Sequence, residues 1–160
     1  MMSRVTNVMK HTRLAFLALP LILLSACGRQ DPASAQAARE KQFQESLNGV
    51  TLAGRFSMGE AGRLSEEKYT IEKVSKVGAE TWLFHARLQY GSHDVTLPLP
   101  LTVKWADDTP VITLTDLAIP GVGTYTARVM FYRGQYAGTW SGKGAGGHLF
   151  GRIVKNKPSS

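Results

Sequence analysis

The chain has 160 residues, with 19 Lys or Arg against 12 Asp or Glu and a formal net charge of +7. That length fits one domain of ordinary size. Beyond residue 13 no two basic residues are adjacent, which argues against a nucleic-acid-binding surface, and one cysteine excludes an internal disulfide or a Cys-based metal site.

In chain order, residues 1–26 come first. Arg4, Lys10 and Arg13 lie in a stretch without acids, Leu14 to Leu24 read LAFLALPLILL, and Leu24-Ser25-Ala26 precede Cys27. A basic start, a short apolar run and small residues are the anatomy of a secretory signal. As a helix the run would rise about 16 Å, against roughly 30 Å of hydrocarbon core, so it predicts a removable leader rather than a permanent span. Leu24-Ser25-Ala26-Cys27 resembles the lipobox of bacterial lipoproteins. The resemblance implies a diacylglyceryl thioether on Cys27, cleavage between Ala26 and Cys27, and a fatty acyl group such as palmitate on the new terminus. Gly28 follows the cysteine and the first Asp is Asp31. The Asp that retains such proteins at the inner membrane of enteric-type bacteria is therefore missing, which implies the periplasmic face of the outer membrane. Cleavage would leave 16 basic and 12 acidic residues, a net charge of +4. It would also commit the only thiol to lipid.

Residues 27–49 change character. DPASAQAAREKQFQES is rich in Ala, Gln and charge. Asp31 or Ser34 would cap a helix running from Ala35 to Leu47. Only Phe43 and Leu47 share an apolar face. The segment reads as a tether between lipid and domain, or equally as a helix docked through those two residues. It is too polar for a core helix.

From Val50 the period becomes two. Trp82, Phe84, Ala86, Leu88 and Tyr90 alternate with polar or smaller neighbours, as do Val95 through Trp105 at odd positions and Tyr125, Ala127, Val129 and Phe131. One buried face per strand is implied. Turn signals at Met58–Gly62, Val77–Glu80, Gly91-Ser92, Ala106–Asp108, Pro120-Gly121 and Arg133-Gly134 divide residues 50–156 into eight strands. These are 50–57, 67–77, 81–90, 93–105, 110–117, 123–132, 135–141 and 147–154, with a short tail at 157–160. Short connections predict an all-β antiparallel meander, a small barrel or a sandwich. Pro98 and Pro100 both lack a donor on one side of their strand. They predict an edge or ladder break there, and so favour an open barrel or sandwich.

Few motifs carry chemistry. Gly138 to Gly147 suggests a phosphate loop, but three residues rather than four separate Gly138 from Gly142, and Gly144 stands where Ser or Thr is needed. A glycine hairpin fits better. Tyr136-Ala137-Gly138-Thr139-Trp140 resembles the Gly-x-Trp element of lipocalin-type and avidin-type barrels, where the Trp plugs one end. Here it falls near the C-terminus, whereas those families carry it in the first strand. His85, His93 and His148 lack the spacing of a zinc motif, and no Gly-x-Ser-x-Gly elbow occurs. Asp116 would be a buried polar anchor or a hairpin residue. Tyr132 and Tyr136 flank the Arg133-Gly134-Gln135 turn and, with Trp140, would form an exposed aromatic binding rim.

Residues 50–155 also resemble small β-rich lipoprotein domains of bacterial envelopes. The expected protein is a non-enzymatic, membrane-anchored envelope lipoprotein that engages an envelope protein or polymer, without cofactor, metal or nucleic acid. The alternatives are a lipocalin-like carrier of a small apolar ligand and an inhibitor of an envelope-attacking hydrolase. Trp82, Phe84, Trp105, Phe131 and Trp140 in so short a domain predict a filled interior.

Overall fold

The structure, a computed structural model, describes residues 31–59 and 62–157. The leader and Cys27 lie outside the described residues, as do part of the first turn and the last three residues of the tail.

Helix α1 spans Pro32–Leu47. It starts earlier than the predicted Ala35, because Pro32 suits a first helical position, where no N–H partner is lost. Asp31 precedes it without a side-chain cap, and the Ser34 hydroxyl instead donates to the Asp31 carbonyl at 2.7 Å. Phe43 and Leu47 are its only buried residues. They dock it on the barrel, so the docked alternative holds for Pro32–Leu47. Lys76 pairs with Glu40 at 2.6 Å, and Lys155 Nζ donates to the carbonyls of Glu45 and Asn48 at 3.1 and 3.4 Å. These ties hold both the middle and the C-terminal end of a helix too polar to pack by itself.

Eight strands follow: β1 Val50–Met58, β2 Arg63–Lys76, β3 Thr81–Tyr90, β4 His93–Ala106, β5 Thr109–Ile119, β6 Gly123–Tyr132, β7 Gln135–Gly142 and β8 Ala145–Lys155. Each pairs antiparallel with the next, and β8 pairs with β1 to close a barrel. The all-β meander is as the alternation predicts. The preference for an open barrel or sandwich is corrected, since the β1–β8 seam runs from Val50↔Lys155 to Phe56↔Leu149.

The prolines nevertheless mark a real break. β4 meets β5 only through Thr102–Ala106 against Thr109–Thr113, so His93–Leu101 has no partner on that side. β3 and β4 are joined by the two-residue loop Gly91-Ser92, with Tyr90 opposite His93. In such a hairpin the closing pair exchanges both hydrogen bonds, and alternate amides point away. By that count the Pro98 and Pro100 nitrogens face β5, where no ladder needs them. β5 also kinks between Leu114 and Leu117. There Asp116 takes φ 49° and accepts a hydrogen bond from the Thr126 hydroxyl at 3.1 Å. Asp116 is therefore an exposed bulge residue, not a buried anchor. The wall is complete beside α1 and split between β4 and β5 at the other end.

Candidate functional site

Alternation turns one side chain in two toward the barrel axis. At the α1 end these fill the space. The Phe43 ring meets Trp82, Phe84, Trp105 and Phe131 edge-on, with centroids 5.2 to 6.4 Å apart. Edge-to-face contacts of this kind suit the ring quadrupole. Four of the five aromatics expected to fill the barrel are therefore spent on one end. The rest of the interior is hollow, with a cavity of about 450 Å³. The expected solid core is corrected on that ground.

The cavity walls are mainly aliphatic and aromatic, including Leu52, Phe56, Leu88, Leu99, Leu114 and Val129. It reaches the loops opposite α1, where Gly91, Ser92, His93 and Lys143 line it. Trp140 stands near this mouth rather than sealing it. Its Nε1–H donates to the Ser57 carbonyl at 3.1 Å, and its ring packs on Phe56 and Tyr125 at 5.9 and 6.3 Å.

One carboxyl group faces the cavity. Glu67 is 4% exposed. It accepts the Tyr69 hydroxyl at 2.7 Å and the Tyr136 hydroxyl at 2.8 Å. Strand register explains how Tyr136 reaches it from three strands away. Tyr136 is opposite Gly151, Gly151 is opposite Gly54, and Gly54 is opposite Glu67. The phenol thus lies across two residues without side chains. A Cβ on Gly54 would strike the Tyr136 hydroxyl, and one on Gly151 would come 2.7 Å from its ring. The row continues from Glu67 to Tyr90 and from Tyr90 to His93, whose rings are 5.0 Å apart.

Burial pushes the Glu67 carboxyl above its ordinary range, against the two phenol hydrogen bonds that favour the anion. Burial, and then the Glu67 charge, raise the Tyr69 and Tyr136 hydroxyls in turn. Tyr90 is raised by burial and by the neighbouring Tyr125 hydroxyl. These phenols therefore stay protonated and act as donors.

The predicted rim does not form. Tyr132 is exposed on the outer wall, with the Arg133 guanidinium 5.1 Å over its ring. Tyr136 is 2% exposed inside the barrel, because it is one β7 position on from the outward Gln135. Of the three predicted residues, Tyr136 and Trp140 share the cavity and Tyr132 does not. His85 and His148 lie exposed on outer strand faces, and among the described residues no cluster could hold a metal ion. The glycine segment is the β7–β8 hairpin, turning at Lys143 and Gly144 with φ 53° and 73°, as a two-residue turn of this hand requires. Glu67 and Tyr69 were not singled out from the sequence. Their signal was parity, since Glu67, Tyr69 and Ile71 occupy alternate positions of one strand.

No family model, curated protein or solved structure matches the chain.

Proposed function

We propose that the chain is a lipid-anchored envelope protein whose barrel carries a small, largely apolar ligand. The observation behind this reading is the cavity of about 450 Å³, walled mainly by aliphatic and aromatic side chains around one buried carboxyl group, reaching the end opposite α1. Sites for small molecules have this size and character. The split between β4 and β5 adjoins the same end and gives a ligand room to enter. The leader and the lipobox-like Leu24-Ser25-Ala26-Cys27 support attachment through Cys27 and delivery to the outer membrane. The domain's role is non-enzymatic.

A second reading, an interaction module for an envelope protein or polymer, draws on the outer wall. There Met130, Ala137 and Phe150 lie in register across β6, β7 and β8, with Met130, Phe150 and nearby Tyr132 exposed. The cavity is the larger departure from an ordinary small barrel, so the carrier reading is preferred.

The test is saturable binding of the neutral apolar fluorophore N-phenyl-1-naphthylamine to the mature domain. The expected result is one site per barrel, with fluorescence reversed by alkyl compounds. Absence of saturable binding would overturn the carrier reading. For the anchor, a Cys27→Ser chain expressed in the native host is expected in the soluble fraction. Its continued pelleting with membranes would count against lipidation.

A further inference from the structure

If the barrel carries an apolar ligand, as proposed above, Glu67 decides what that ligand bears where it meets this carboxyl group. A carboxyl group in an apolar cavity is expensive to keep unless it is paired and hydrogen-bonded. Glu67 is hydrogen-bonded but not paired. Each oxygen accepts one phenol hydrogen, and no Lys, Arg or His forms an ion pair with it among the described residues. An ionised carboxylate has about four acceptor positions, so two phenols leave acceptor capacity for a further donor. The rings of Tyr69 and Tyr90, 6.4 Å apart, stand on the Glu67 strand and at its cross-strand position. Aromatic faces attract cations.

We propose that the cavity takes a single-chain apolar amine, its ammonium on the Glu67 carboxylate and its chain along the aliphatic wall. The charge sets the choice. An ammonium neutralises Glu67, an alcohol only donates to it, and a fatty carboxylate would bring a second negative charge into a site of low dielectric. Volume sets the size. A cavity of about 450 Å³ lies at the lower end of the range for small-molecule sites, about 300–1,000 Å³, which suits one chain of moderate length. A zwitterionic phospholipid headgroup would set its phosphate beside the Glu67 carboxylate, like charge against like. The amine is therefore a free one.

The experiment displaces bound N-phenyl-1-naphthylamine with decylamine, decanol and decanoate at pH 7, using the mature domain. Decylamine is expected to bind at least about tenfold more tightly than decanoate, the worth of one modest charge-assisted contact, with decanol between them. Glu67→Gln is expected to abolish the preference. Tyr136→Phe removes a phenol but keeps the carboxylate, and is expected to preserve it, so loss of preference cannot be laid to a damaged interior alone. Equal affinities, tighter decanoate, or a preference that survives Glu67→Gln would overturn the amine and leave the carrier reading standing. Failure of every alkyl compound to displace the fluorophore would overturn both.

Discussion

Burial and two phenols act on Glu67 in opposite directions, and burial wins. A carboxyl whose folded pKa lies above its unfolded value binds its proton more tightly in the folded state. The stability that this proton brings is fully present below the ordinary value of 4.5 and is lost as pH rises through the folded pKa. A single group can change stability by at most about 1.4 kcal/mol per pH unit. Glu67→Gln keeps the shape and an acceptor for one phenol, but it has no proton to lose. Its stability is therefore expected to gain on the wild type as pH rises from 4 to 7, measured by urea unfolding of both proteins. Ion pairs elsewhere, such as Arg87 with Asp94, are common to both and cancel in the difference. A difference that stays flat over this window would mean that Glu67 titrates as it does in the unfolded chain. The role of Glu67 was only half legible in the sequence. Parity places it inside, but its partner Tyr136 is 69 residues away, and only the Gly151 and Gly54 registers bring the two together.

Strands were the most legible elements, because alternation reports directly which residues face in. Their ends were less so. β2 begins at Arg63 rather than 67, and β8 spans Ala145–Lys155 rather than 147–154, since pairing extends beyond the apolar residues that reveal it. The two prolines were read correctly as a ladder break and wrongly as a bar to closure. Five residue pairs at the α1 end suffice to join β4 to β5, and the break is confined to the other half. This geometry makes a residue-specific prediction for hydrogen exchange. The amides of Val95, Leu97 and Leu99 donate to β3, whereas those of Asp94 and Thr96 face the unpaired side. The expected pattern is strong protection at the three odd positions and fast exchange at Asp94 and Thr96, read by NMR at neutral pH. Uniform protection along His93–Leu101 would show that the split closes in solution.

At the scale of the whole molecule, an eight-stranded barrel is just wide enough for side chains to fill it or for one small ligand to replace them. Which outcome holds depends on summed side-chain volume, and alternation does not report that sum. The aromatic residues suggested a solid core, but Trp82, Phe84, Trp105 and Phe131 gather around Phe43 at one end. Small inward residues thin the rest, with Gly54, Ala86, Ala127, Gly142 and Gly151 all facing the axis. An interior left hollow sacrifices packing contacts that a filled one would gain, so a substitution that fills it should stabilise the empty protein. Ala127 is the position to use, being half-buried, on the cavity wall, and opposite Leu114 and Trp140 on the adjoining strands. Ala127→Trp is expected to raise the melting temperature of the ligand-free domain and to reduce affinity for N-phenyl-1-naphthylamine at least about tenfold, the range set by losing a methylene-sized or larger share of a pocket. The wild type should gain about 2.7 kcal/mol at a ligand concentration of 100 times its Kd, and the variant, with affinity reduced tenfold or more, about 1.4 kcal/mol or less at that concentration. Stability and binding would then move in opposite directions, as they do where a protein keeps a destabilising feature for use. If Ala127→Trp instead lowers the melting temperature and still binds the fluorophore, the cavity is not the space the ligand occupies.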